Sequence, residues 1–333
     1  MKLAMSFRPF ARFALLPLLA LLALPVACGD DTAGAPPVNA GAGGAGASSA
    51  GAGGAAAGAA GAAGSAPGTQ PASIVFAAKA GAEAFSCTGQ LTNIGTSKRT
   101  IEPLDFRFYV HGLRLVRADG SEAPVTLTED QTFQHDGLAL LDFEDGAGTC
   151  ENGTTATNDR VVGTVASGSY ARVRFELGVP EASNHADAAL APSPLNITSL
   201  FWNWNGGYKF ARLDARVVDE NAPSGGALSF VFHLGSTSCV GDAAKGGAVT
   251  CKNLNLPTID LALPAPAGGD LGTKTIVFDW ANLLADVDVA KDEGGVGGCM
   301  SGATDPECGK IFSRLGLDAG GGATGSQSAF RIE

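Results

Sequence analysis

The sequence predicts an all-β fold, an antiparallel β-sandwich with long loops and one or two short helices, preceded by a disordered Ala/Gly tether. Apolar side chains recur every second residue in segment after segment, the pattern of strands buried on one face. Gly, Pro and Asn turns separate these segments, as in sandwiches built of many short strands. A sustained helical period is confined to one stretch near the C-terminus, which excludes a helical bundle.

In chain order, Lys2, Arg8 and Arg12 lead into an apolar run over residues 14–24, and Cys28 follows the small residue Ala27. This is the layout of a secretory signal. A cysteine at the cleavage point makes residues 1–28 a lipoprotein-type signal peptide with Cys28 as the lipidated residue, although Pro25 stands where Leu is usual. The run is short for a transmembrane helix. Residues 29–71 are almost all Ala, Gly, Ser and Pro and bury too little to offset the entropy of ordering, so they read as a flexible linker. Gly41–Gly46 matches the dinucleotide fingerprint, but no strand pattern precedes it and no helical pattern follows, so it is a low-complexity coincidence. Residues 72–333 remain as one β domain.

Within it, Leu104, Phe106, Phe108 and Val110 alternate with Asp105, Arg107, Tyr109 and His111. The parity changes at Leu113 and Leu115, so Gly112 marks a bulge. Val173, Phe175 and Leu177 form a second apolar face, Ala211, Leu213, Ala215 and Val217 a third, and Leu228, Phe230, Phe232 and Leu234 a fourth. Ile259, Leu261 and Leu263, then Ile276 and Phe278, supply two more. A helix is expected from Pro306: Asp305 caps it, Cys308, Ile311, Phe312 and Leu315 share a face, and Gly316 ends it. A shorter helical turn is expected over residues 281–286.

The net charge of -11 argues against nucleic acid, which selects basic patches. Without Cys28 the cysteines are Cys87, Cys150, Cys239, Cys251, Cys299 and Cys308, an even set suited to disulfides in an oxidising compartment. Cys239 with Cys251 and Cys299 with Cys308 are neighbours across short loops, leaving Cys87 with Cys150. Other connectivities stay open at this point. No Cys-x-x-Cys is present, which disfavours a thiolate metal site.

Chemistry concentrates around His111, His185 and His233, three of the four histidines. His111 and His233 lie opposite the apolar side of their strands, facing outward or into a second sheltered layer. His185 lies in an Asn-His-Ala-Asp loop. Imidazole suits copper, zinc and nickel, and copper leads the divalent affinity series. Asn184, Asp187 and Asp142 are available to orient imidazoles, and Met300 offers a thioether. Each histidine alone is more often a satisfied polar residue than a ligand. Trp202 and Trp204 share a face if they lie on a strand, either as a packing cluster or as a target of oxidation. No Gly-x-Ser-x-Gly elbow and no assignable carboxylate pair is found in the folded part, so the chain is not read as an enzyme.

At these motifs the chain resembles the MbnP family. The resemblance runs through Asp105-Phe-Arg-Phe-Tyr-Val-His111, Ala139-Leu-Leu-Asp142, Gly178-Val-Pro180, Asn184-His185, Ser193-Pro-Leu-Asn196, Phe201-Trp-x-Trp204, Gly207-Tyr-Lys-Phe210, His233-Leu-Gly-Ser-Thr237 and Cys299-Met300. It implies an exported copper-binding β protein, with His111, His185 and His233 as metal ligands. It also implies a dihaem partner resembling MbnH, of the MauG and cytochrome c peroxidase kind, that oxidises Trp202 or Trp204 to kynurenine. In relatives that use a tryptophan near the first histidine, the nearest aromatic here is Tyr109. The expectation is therefore a periplasmic or surface protein held to the membrane by its N-terminal lipid. The alternative is a non-metal adhesion or scaffold domain.

Overall fold

The structure is a computed structural model in which residues 68–333 are described, except 152, 204 and 219–227. The signal segment with Cys28, nearly all of the linker, and Trp204 lie outside the described residues.

The first strand, β1 (Thr69–Ala80), alternates Ala72, Ile74, Phe76 and Ala78 toward the interior. It takes in Thr69–Pro71, which composition assigns to the linker. Backbone pairing there (Thr69↔Ala166, Pro71↔Thr164) needs no apolar side chain. Pro71 is tolerated because the neighbour on its other side begins pairing only at Val75.

The long strand β2 (Arg99–Val116) is the spine of the larger sheet, with β3 (Leu138–Asp142) beside it. Next, β4 (Arg160–Ala166) pairs antiparallel with β1, and β5 (Tyr170–Leu177) pairs with β2. The expected bulge is present. Between His111↔Glu176 and Arg114↔Arg174, two residues of β2 oppose one of β5, and Gly112 has φ +58°, a conformation that glycine reaches without strain.

The ribbon β6 (Phe201–Asn203) and β7 (Gly207–Tyr208) leads into β8 (Ala211–Val218), which lies between β2 and β9 (Leu228–Leu234). A second ribbon, β10 (Thr237–Gly241) and β11 (Val249–Asn253), follows. Then β12 (Thr258–Ala267) pairs with β5, and β13 (Thr275–Asp279) pairs with β1. Finally β14 (Gly298–Cys299) joins β9, and β15 (Phe330–Ile332) joins β13.

The result is a β-sandwich. One sheet runs β15-β13-β1-β4 and the other β12-β5-β2-β8-β9-β14. Most pairs are antiparallel, but β1–β13 and β9–β14 are parallel. Alternation reports which face of a strand is buried and carries no information about its neighbour's direction, so this refinement was not readable from the sequence.

Between the sheets lies an aromatic layer. Phe76 meets Phe108 and Phe175 at 6.1 and 5.6 Å. Phe278 meets Phe106 and Phe108 at 5.2 and 5.3 Å. These T-shaped pairs add a geometric preference to the burial of large apolar rings. The expected helix is α2 (Pro306–Leu315): Asp305 Oδ1 accepts from the Glu307 N–H, and Gly316 at φ +78° ends it. The helical turn is α1 (Trp280–Leu283): it starts one residue before the expected 281–286 because Asp279 caps it, and it ends three residues sooner. Among the described residues, no helix is long and apolar enough to cross a membrane.

Candidate metal and oxidation site

The outer face of the larger sheet carries a second buried layer, and it is polar. Asp105 and Arg107 on β2 oppose Asp214 and Arg212 on β8, while His233 on β9 opposes Arg212. Arg107 grips Asp105 through Nε at 2.9 Å and through Nη2. Arg212 reaches Asp105 at 3.1 Å and Asp214 at 2.6 Å. Burial pushes the Asp214 carboxyl up, but the bond from His233, with Arg212 behind it, more than offsets this and holds it below the usual carboxylate range.

Pro194, Leu195 and Ser199 roof this layer. Tyr109 donates its hydroxyl to Pro194 O at 2.9 Å, Tyr208 donates to Leu195 O at 2.6 Å, and Lys209 Nζ donates to Ser199 O at 3.0 Å. Burial, then the Arg212 charge, lowers Lys209 to about 8. At the far end of the layer, burial pushes Asp142 up to about 7 and also raises Glu144. The backbone N–H groups of Gly153 and Gly146 pull Glu144 back down, against that burial.

The expected ligands stand as follows. His111 is half-buried, with Nδ1 2.9 Å from Gly178 O. A carbonyl only accepts, so Nδ1 carries the proton and Nε2 keeps the lone pair, the arrangement common in metal-ligating histidines. Burial lowers its pKa, which favours the neutral form that binds metals. His233 is buried and donates from Nε2 to Asp214 Oδ1 at 2.7 Å, while its Nδ1 has no partner among the described residues. His185 sits in the turn after β5, its Nε2 3.3 Å from both Cys251 Sγ and Asn184 Nδ2. The Tyr208 N–H donates to Asn184 Oδ1 at 2.9 Å, so the Asn184 amino group faces the imidazole.

The three imidazoles do not form a group of close donor atoms. Among the described residues, the group of three whose donor atoms lie within 4.8 Å of one another is His185 with Cys239 and Cys251. Those cysteines are bonded to each other, as are Cys87 with Cys150 and Cys299 with Cys308. The thiolate is the metal-binding form of cysteine, so in the oxidised chain the strong donor of this group is the imidazole.

Trp202 lines a surface cavity that Cys239 of the same disulfide also lines. It is half-buried and shares the cavity with Ser236, Thr237 and Met300. Its ring rests on the backbone at Gly235, where a Cβ would come within 2.5 Å of the indole. Met300 is 37% exposed, so its thioether is accessible rather than packed in the core. A turn at Asn205-Gly206 separates Trp202 from Tyr208.

Asn184 contacts His185 at Nε2, the ring nitrogen that also faces Cys251. Asp142 faces Arg107 electrostatically, and Asp187 caps the Ala189 N–H at 2.9 Å. The partner of His233 is instead Asp214, which the sequence analysis missed. Its signal was the polar parity of Arg212, Asp214 and Arg216 opposite the apolar face of β8.

Fold and site define a disulfide-bonded β-sandwich with imidazole and sulfur donors beside a partly exposed indole. The chain belongs to the MbnP family, whose profile matches residues 69–301. The solved structure of MbnP from Methylosinus trichosporium is similar, with a TM-score of 0.67 and 29% identity, covering 80% of this chain and 98% of that one. No curated protein sequence matches.

Proposed function

We propose that this chain is an exported copper-binding protein, lipid-anchored through Cys28 at the periplasmic or outer cell surface, and not an enzyme. In this reading a dihaem MbnH-like partner oxidises Trp202 or Trp204 to kynurenine. The observation that carries the reading is the placement of an imidazole and an indole beside one disulfide. His185 Nε2 is 3.3 Å from Cys251, and Trp202 shares a cavity with Cys239 and Met300. His185 is the anchoring donor. His111, with its Nε2 lone pair kept, and Met300 are further donors of the kind copper accepts.

Kynurenine formation inserts oxygen at both carbons of the indole C2–C3 bond, which breaks, and hydrolysis then releases C2 as formate. Peroxide, acting through the haem partner, is the oxidant. An indole at a cavity mouth is within reach of a macromolecular oxidant, whereas Trp280 is buried.

Copper is measured by elemental analysis on protein purified without chelator, and again after replacing His111, His185 and His233 by Ala singly and together. Copper is expected to be lost first with His185→Ala. Equal copper in all forms would remove the metal reading and favour the scaffold alternative. Coexpression with the partner is expected to add about 4 Da to the peptide holding Trp202 and Trp204, a covalent change read by mass. An unchanged peptide mass would end the oxidation reading. Cys28→Ser is expected to release the protein from membranes.

A further inference from the structure

We propose that the Cys239–Cys251 disulfide is a reducible gate. Its reduction opens a thiolate–imidazole site, formed by both cysteine sulfurs and His185 Nε2, for a soft closed-shell cation. Three observations carry this. The donor atoms of His185, Cys239 and Cys251 already lie within 4.8 Å of one another, a span that a metal with sulfur and nitrogen ligands fits. The cysteines are directly opposite across β10 and β11, between the pairs Thr237↔Asn253 and Val240↔Thr250. The backbone ladder therefore keeps both sulfurs together after their bond is broken. Finally, access singles out this disulfide. Cys239 is half-buried on an open cavity, whereas Cys87, Cys150, Cys299 and Cys308 are 2%, 1%, 0% and 1% exposed.

Thiol–disulfide exchange depends on access, and access favours attack here. A thiolate of an external dithiol attacks Cys239 Sγ, and Cys251 leaves with the electron pair as a thiolate beside His185. The second thiol of the reductant then displaces Cys239 and closes the reductant's own disulfide. The chain gains two electrons and two protons, and both protons leave when the thiols bind a metal. The bound set, two thiolates and one imidazole with room for water, selects ions such as Cu(I) or Zn(II) over hard cations. The site rests on the coordinates of these three residues and does not depend on whether the oxidised chain holds copper.

The test uses the full chain and Cd(II) as probe. Limited dithiol reduction followed by alkylation and peptide mapping is expected to label Cys239 and Cys251 before the other four cysteines. The reduced chain is then expected to bind one equivalent of Cd(II) with an ultraviolet thiolate-to-metal charge-transfer band, and the oxidised chain to show none. The band should vanish in the Cys239→Ser/Cys251→Ser double variant. In His185→Ala, which removes one of the three ligands, the affinity should fall at least about tenfold, no less than the loss of an outer-shell partner costs. Earlier labelling of the other cysteines, an unchanged band in the double variant, or undiminished affinity in His185→Ala would each overturn the proposal. Copper retained or lost by the oxidised chain tests the proposed function alone.

Discussion

The two faces of β2 solve burial by opposite means. Phe106 and Phe108 point into the aromatic layer, while Asp105 and Arg107, one residue removed, point into a buried ionic layer. The inner face is held by contact area, which is non-directional and tolerates exchange between shapes of similar volume. The outer face is held by the paired charges of Asp105, Arg107, Arg212 and Asp214, and removing one of them leaves its partner buried without compensation. A single strand with period-two alternation thus carries both a forgiving core and an exacting polar layer. The imidazole of His233 belongs to the exacting one.

Substitutions sharpen this contrast. Phe108→Ala opens a cavity at the centre of the aromatic layer and is expected to reduce stability by about 3–5 kcal/mol in chemical denaturation. Asp105→Asn preserves shape but removes the counter-charge of Arg107 and Arg212, and is expected to cost about 3 kcal/mol. Leu213→Met, on the inner face of β8, should cost less than about 1.5 kcal/mol. If Leu213→Met proves more damaging than Asp105→Asn, the contrast between the faces is wrong.

Acidity probes the ionic layer separately. Burial lifts the Asp142 carboxyl to about 7, above the ~3.9 of an unfolded chain. The folded state therefore favours the protonated form. Its stabilising contribution is full below about pH 4 and is lost as pH rises through about 7. Asp142→Asn, neutral at every pH, is expected to stabilise the chain on the order of 2 kcal/mol at pH 8 and to leave it unchanged at pH 4. Denaturation curves at the two pH values measure this, and an equal effect at both would show that burial does not control this carboxyl. The smallest effect belongs to Trp202→Phe. With the ring only half-buried, the change in stability should stay below about 1 kcal/mol, while any oxidation mass assigned to Trp202 disappears.

Much of the scaffold was legible before the structure. The apolar alternation of Val173–Leu177, Ala211–Val217 and Leu228–Leu234 identified β5, β8 and β9, and the parity break at Gly112 identified the bulge. Asp305, Pro306 and Gly316 bounded α2. These signals are local: each reports backbone geometry or facing within a few residues. The strand β1 was not picked out, because its Ala-rich face adjoins the Ala/Gly tract and the composition blends across the boundary. The candidate site was legible only as a set of residue types. His185 and Trp202 were singled out, but nothing along the chain says that Cys251 approaches the imidazole or that Cys239 approaches the indole.

By itself the sequence determined which residues face inward, where the chain bulges and caps, and which side chains hold soft donor atoms. Those properties follow from the chirality and periodicity of the backbone and from side-chain chemistry. Only the tertiary structure decided that β1 and β13 run parallel, that Asp214 holds His233, and that His185 meets a disulfide instead of two other imidazoles. Such proximities join residues far apart in the chain. They are fixed by how the sheets stack and how the loops close over them, and no short-range pattern encodes either.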